Sequence, residues 1–242
     1  MNMSEIKYIK GNIFDSSMMT IVNTVNCVGF MGAGIALEYM RRYPEMFNEY
    51  KEKCLQGSLK IGEIHLWKKD TPWILNFPTK IHYQDDSKID YLKKGLEKFL
   101  TIYKDEGITS IAFPQLGSSL GGLSWDNSVQ PLMSEYLSGL DIEIEIYEYD
   151  KYAEDNLFIN LRNIIKHFSL KDYKKELNIG PAAAERIVEA LDSGIQSLAD
   201  FEYIKGVGKE SLNNIYSLAK KDSQAFETTE EVEQRQLFED GN

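Results

Sequence analysis

Along residues 8–150 the apolar positions come in short runs: Tyr8 to Lys10, Thr20 to Val22, Ile64 to Trp67, Trp73 to Phe77, Ser110 to Phe113 and Glu143 to Tyr147. Each reads as a strand. Between them the apolar residues recur every three or four positions, which predicts helices over Gly34 to Arg42, Glu45 to Cys54, Ile89 to Lys104 and Trp125 to Leu137. Pro44 suits the first turn of the second helix, and Ser124 can cap the fourth. This alternation implies a three-layer α/β/α domain around a mixed, largely parallel sheet, with any ligand at the carboxyl ends of the strands.

Two glycine-bearing loops follow strands in this frame. Asn23-Thr24-Val25-Asn26-Cys27-Val28-Gly29-Phe30-Met31-Gly32-Ala33-Gly34 comes first, and Phe113-Pro114-Gln115-Leu116-Gly117-Ser118-Ser119-Leu120-Gly121-Gly122 second. Each leads toward a helix, whose unpaired N–H groups and positive dipole end favour anions. Glycine lets the backbone close on a phosphate without a Cβ holding it off. One such loop often only turns the chain; two in one domain point to a diphosphate.

The wording of these segments, Gly11-Asn12-Ile13, Ile21-Val22-Asn23-Thr24-Val25-Asn26, Gly32-Ala33-Gly34-Ile35-Ala36 and Leu116-Gly117-Ser118-Ser119-Leu120-Gly121, resembles a macrodomain, the ADP-ribose-binding module, over roughly the first 150 residues. Asn23 to Gly29 together with Phe77-Pro78-Thr79-Lys80 looks most like the DarG-type antitoxin macrodomains, which remove ADP-ribose from DNA and have a human cousin in terminal ADP-ribose glycohydrolase. The resemblance implies that Gly32, Ala33, Gly34 and Ile35 offer backbone donors to one phosphate, while Gly117, Ser118, Ser119, Leu120 and Gly121 enclose the other. It gives Asn26 to the distal ribose and adds Asn23 and Thr79 to the ADP-ribose contacts. Beside Ile13, Asn12 replaces the family's usual Asp, so it can accept from the adenine amino group but carries no charge.

Lys80 is the catalytic residue that the resemblance implies. Release of ADP-ribose from a thymine base breaks a glycosidic bond through an oxocarbenium-like state. A lysine assists either as a free amine attacking the anomeric carbon or as an ammonium ion protonating or polarising the departing base. The human cousin's catalytic Asp falls at Gly121 here, and Asp126 lies on the following helix, so a two-residue acid/base pair is not supported. His82 is a weaker candidate for substrate contact, and Tyr83 either lines the pocket or packs the core. Cys27 sits in the first loop, but no histidine or cation beside it in sequence favours its thiolate.

From Asn156 the strand signal ends and a duplicated helical unit begins. Ser169-Leu170-Lys171-Asp172-Tyr173 recurs 28 residues later as Ser197-Leu198-Ala199-Asp200-Phe201, and at the same offset Ile179 matches Val207, Gly180 matches Gly208 and Ile187 matches Ile215. Each unit has a capping box, a short helix, a tight turn and a second helix, with Pro181 opening one of the latter. The turns are Asn178-Ile179-Gly180 and Gly206-Val207-Gly208, with Asn tolerating the left-handed backbone where the second copy has Gly. This is similar to a tandem helix-hairpin-helix domain. The resemblance implies DNA-phosphate contact through Gly180, Lys205, Gly206, Val207, Gly208 and Lys209; the alternative is a protein-contact bundle, and Leu212 replaces the motif's usual small alanine, kept at Ala184.

Charge sharpens this division. The total of −11 splits into −7 over residues 1–155, +2 over 156–221 and −6 over 222–242, so any grip on a nucleic-acid backbone must come mainly from the middle region. The expected organisation is a macrodomain over 1–152, a tandem helix-hairpin-helix domain over 153–221 and an acidic, disordered tail over 222–242. Within the tail, Gln234-Arg235-Gln236-Leu237-Phe238 loosely resembles a sliding-clamp-binding peptide. Two cysteines and three histidines without metal-ligand spacing argue for a reducing compartment and no metal, and no cofactor is implied. No apolar run approaches the ~20 residues of a membrane span and no signal-peptide pattern is present, so a cytoplasmic location without membrane contact is expected.

These features favour a hydrolase that frees ADP-ribose from ADP-ribosylated, thymidine-linked DNA and so opposes a DarT-type toxin. A DarG antitoxin usually carries a different C-terminal toxin-binding domain, which leaves direct toxin capture open. Two alternatives stand beside it: a hydrolase of ADP-ribosyl-protein or O-acetyl-ADP-ribose, and a non-catalytic ADP-ribose reader that recruits repair or replication proteins.

Overall fold

The computed structural model describes residues 5–221, so the acidic segment 222–242 and its Gln234 to Phe238 peptide lie outside the described residues. The described residues divide into two compact units, one ending at Ala153 and the other beginning at Glu154. The first holds six strands, β1 (Lys7–Gly11), β2 (Thr20–Val25), β3 (His65–Trp67), β4 (Trp73–Pro78), β5 (Ser110–Pro114) and β6 (Glu143–Tyr149), in the order β1-β6-β5-β2-β4-β3. All neighbours run parallel except β3, which is antiparallel to β4. Helices α1 (Gly34–Arg42), α2 (Pro44–Leu55), α3 (Ile89–Ile102) and α4 (Gln130–Leu137) cover both faces, giving the expected α/β layers.

The two-residue period of a strand sorts the side chains between two cores. Val22, Leu75, Phe77, Ile111, Phe113, Ile144 and Ile146 pack with Leu92, Leu96 and Phe99 of α3 and Met133 and Leu137 of α4. Ile21, Val25, Ile74, Ala112 and Tyr147 pack with Tyr39 of α1 and Met46 and Tyr50 of α2. Covered on both faces, β4 and β5 read as near-continuous apolar runs, whereas Lys and Glu interrupt β1 and β6. Each fully buried Ile, Leu or Phe contributes about 1.5–3 kcal/mol.

Two elements differ from the sequence expectation. Strand β2 continues to Val25, because Asn23 and Thr24 pair in register with Asn76 and Phe77 of β4 and a backbone ladder is indifferent to side-chain polarity. The fourth helix opens with a π-helical turn, Trp125–Val129, before α4 begins. There Val129 N and Gln130 N donate to Ser124 O and Trp125 O, five residues back. Ser124 does cap this turn, accepting from Asn127 N.

The second unit comprises α5 (Asn156–Ile165), α6 (Leu170–Leu177), α7 (Pro181–Asp192), a 3₁₀ turn (Leu198–Tyr203) and α8 (Lys209–Ala219). Both capping boxes form, Ser169 with Asp172 and Ser197 with Asp200. The repeat-related residues Tyr173 and Phe201, and Ile187 and Ile215, lie in one common core. In the second copy the first helix is reduced to the 3₁₀ turn. Asn160 Nδ2 donates to Ala219 O at 2.7 Å, tying α5 to the end of α8.

Candidate functional site

Five parallel strands place their carboxyl ends on one edge of the sheet, and the segments after β1, β2, β4, β5 and β6 emerge there. The first glycine loop is organised from within by Asn26. Its Oδ1 accepts from Val28 N at 3.0 Å, Phe30 N at 3.4 Å and Tyr50 OH at 3.1 Å, while Nδ2 donates to Phe30 O. Burial pushes the Tyr50 hydroxyl well above its ordinary range, which keeps it a donor. The Asn26 amide therefore shapes the loop that delivers Gly32, Ala33 and Gly34 to the start of α1. The second N–H of Nδ2 remains to donate to a ribose hydroxyl.

Asn23 lies in the interior beneath the first loop. It is fully buried, donating from Nδ2 to Asn76 Oδ1 at 2.9 Å, and Asn76 Nδ2 in turn meets His65 Nδ1 at 3.3 Å. Burial pulls His65 down to about 4, leaving a neutral ring. The same Nδ2 lies 3.8 Å from Met31 Sδ, so the buried amide supports the first loop from beneath.

The second loop is closed by its own turns and by Ser87. Ser118 N donates to Gln115 O at 3.3 Å, Gly122 N to Ser119 O at 3.2 Å and Leu123 N to Gly117 O at 3.1 Å. Ser87 N donates to Gly121 O at 2.9 Å, and a Cβ on Gly121 would stand 2.2 Å from Gly117 O and 2.5 Å from Ser87 Oγ. Glycine at 121 is thus a packing requirement. Sequence reasoning missed Ser87 and Tyr50, and nothing in their local sequence marks either.

Lys80 follows β4, whose pairing with β2 is continued by Thr79 N donating to Val25 O at 2.9 Å. Its Nζ reaches the second loop and donates to Leu120 O at 2.7 Å. Leu120 Cδ1 lies 3.0 Å from the position of a Cβ on Gly34, so Gly34, Lys80 and Leu120 converge. Cys27 fastens this corner, its N donating to Ile81 O at 3.0 Å and its Sγ to Lys80 O at 3.3 Å. Thr79 is buried, whereas Lys80 is partly open.

Asn12 and Ile13 sit apart from this corner, after β1, with β6 and β5 between them and β2. Asn12 Oδ1 accepts from Phe14 N at 3.1 Å as the cap of a 3₁₀ turn, Ile13–Asp15, and the Ile13 side chain is buried. Asp126 is exposed in the π-helical turn.

Tyr83 resolves in favour of the surface. It is 45% exposed, and its ring centroid lies 4.6 Å from that of Phe30 and 4.2 Å from that of His82. Burial, reinforced by the nearby Cys54, pushes the Cys27 thiol up to about 11. A free cysteine titrates near 8.5, so Cys27 is a protonated donor at neutral pH. We expect iodoacetamide to modify Cys27 at pH 7 at least about tenfold more slowly than free cysteine, as read by peptide mass spectrometry; equal rates would contradict the assignment.

In the second unit each tight turn is held by the other repeat's second helix. Asn178 adopts the left-handed conformation (φ 55°), Asn178 O accepts from Ser211 Oγ of α8 at 3.3 Å, and Leu177 O accepts from Asn214 Nδ2 at 3.4 Å. Gly206, at φ 99°, packs so closely that a Cβ would lie 2.9 Å from Ala183 Cβ of α7, and Lys205 O accepts from Arg186 Nη1 at 2.7 Å. Gly180 and Gly208 cap α7 and α8, and a Cβ on either would meet nothing within 4 Å. Gly206 therefore serves the turn, while Gly180 and Gly208 leave open space before a helix N-terminus.

Residues 22–132 match the Macro domain family. A DNA ADP-ribosyl glycohydrolase of Mycobacterium tuberculosis is 40% identical over 146 residues, which are 59% of this chain and 42% of that protein, so this chain spans less than half of that relative's length. The solved macrodomain of Thermus aquaticus DarG is 34% identical with a TM-score of 0.57, the match covering 60% of this chain and 99% of that one. The DarTG of Thermosipho africanus, solved in complex with ADP-ribose, is also 34% identical, with a TM-score of 0.56 over 60% of this chain and 42% of that one. Among the described residues no helix is long and apolar enough to cross a membrane.

Proposed function

Since the chain belongs to the macrodomain family through its N-terminal unit, with homology to the DarG DNA ADP-ribosyl glycohydrolases, we propose that it hydrolyses the bond between ADP-ribose and a DNA base, thymidine being the expected carrier. The observation that carries this reading is the meeting of Lys80 with both glycine loops, its Nζ donating to Leu120 O of the second and its carbonyl accepting from Cys27 Sγ of the first. Four strand intervals, roughly 19 Å, separate the end of β1 from that of β4, room for an extended ligand with adenine near Asn12 and the distal ribose near Lys80. Backbone N–H groups of Gly34 and Ile35 at the start of α1 and those of the second loop would hold the phosphates.

In the reaction the bond from the anomeric carbon to the base breaks, the oxygen of water bonds to that carbon, and the base takes up a proton. Lys80 either protonates or polarises the base, or attacks first as an amine that water later displaces. An assay on a thymidine-linked ADP-ribosyl oligonucleotide, run beside an ADP-ribosyl ester of a peptide, tests the reading. Release from the oligonucleotide is expected; release from the ester alone would favour a protein-directed hydrolase, and release from neither a reader.

The helical unit is proposed to grip the DNA backbone without reading bases, and opposition to a DarT-type toxin follows from the same chemistry. Gly180→Val combined with Gly208→Val fills the open space before α7 and α8 while leaving Gly206 to form its turn. Oligonucleotide affinity should fall several-fold and its dependence on salt flatten, with ADP-ribose binding unchanged. Unaltered DNA affinity would reject phosphate contact there.

A further inference from the structure

We propose that Phe30 and Tyr83 form a stacking face for the nucleobase that bears the ADP-ribose, and so set a preference for base-linked over acyl-linked substrate. The inference rests on the glycohydrolase reading above. Phe30 is 49% exposed and Tyr83 45%, their centroids are 4.6 Å apart at 45°, and the His82 ring extends the row at 4.2 Å. Val28 and Ile81 add exposed apolar surface beside them in sequence. Four apolar or aromatic residues, Val28, Phe30, Ile81 and Tyr83, left in solvent on two short segments are a departure from ordinary burial.

The position of this row supplies its meaning. Phe30 lies over Gly32 in the first loop, its ring Cε1 2.2 Å from where a Cβ would stand, so the loop is built around the ring. Tyr83 comes three residues after Lys80, and the Cys27 N to Ile81 O bond binds the two segments together at that point. The base is attached directly to the anomeric carbon that Lys80 must address, so a flat aromatic surface beside Lys80 meets the leaving group. Stacking on an aromatic side chain contributes about 1–3 kcal/mol per base and tolerates sequence, since every base has a π-face. An ester carried on a carboxylate side chain has no such face.

Wild type, Tyr83→Ala and Tyr83→Phe are to be compared, as the full chain, on the thymidine-linked oligonucleotide and on the ADP-ribosyl ester peptide. Tyr83→Ala should lower kcat/KM on the oligonucleotide by at least about fivefold, as stacking of this size implies, with free ADP-ribose affinity and ester release little changed. Tyr83→Phe should restore the oligonucleotide rate. An equal fall on both substrates, or no fall on either, overturns the proposal. If wild type releases neither substrate, the glycohydrolase reading itself fails. Stacking is then judged by binding: Tyr83→Ala must lose whatever affinity advantage the modified oligonucleotide has over free ADP-ribose, and if it loses none the stacking face is refuted.

Discussion

Lys80→Ala is expected to reduce release of ADP-ribose from a thymidine-linked oligonucleotide by at least about a hundredfold, the scale of a positioned acid, base or nucleophile. Binding of ADP-ribose should remain measurable by calorimetry. The separation follows from geometry: Lys80 Nζ donates to Leu120 O, a backbone carbonyl, and the loop around that carbonyl has its own closures at Gly117 O and Gly121 O. Removing the amine therefore withdraws the reacting group without withdrawing the phosphate cradle. Lys80→Arg divides the two chemical roles. A guanidinium stays charged and can polarise a departing base, but it does not act as an amine nucleophile. Retained activity in Lys80→Arg supports electrostatic assistance, whereas its loss, with a borohydride-trapped adduct on the wild-type lysine, supports covalent attack. Full activity in Lys80→Ala would remove Lys80 from the mechanism.

Gly121→Ala should cost ADP-ribose at least about tenfold in affinity, or 1.4 kcal/mol, and lower the Tm. The added Cβ would meet Gly117 O at 2.2 Å, and that carbonyl is held in turn by Leu123 N at 3.1 Å, so backbone rather than a flexible side-chain end has to move. Ser87→Ala is the informative companion. It removes the hydroxyl that would lie 2.5 Å from the same Cβ but leaves Gly117 O in place, so the double variant should recover little. Circular dichroism and thermal melting separate loop distortion from global unfolding. Normal ADP-ribose affinity in folded Gly121→Ala would show that the second loop does not hold the ligand.

How far the molecule was legible in its sequence depends on the range of the forces involved. The helix over Gly34–Arg42 and the capping boxes at Ser169 and Ser197 were readable because helix periodicity and caps act within a few residues. The left-handed turn at Asn178 was readable for the same reason. The Trp125–Val129 π-helical turn was not, since Pro131 permits several ways of opening a helix. The bond between Asn23 and Asn76 was not readable either, since the two lie on neighbouring strands 53 residues apart.

The linear order of apolar runs, the two glycine loops and the 28-residue duplication are properties of the chain itself, set by side-chain period, turn chemistry and local capping. The tertiary structure alone decided that β2 lies between β5 and β4. That order brings Lys80 to Leu120, Ser87 to Gly121 and Phe30 to Tyr83. Such pairings are settled by burying both faces of the sheet at once, a condition that the pattern of a single segment does not contain.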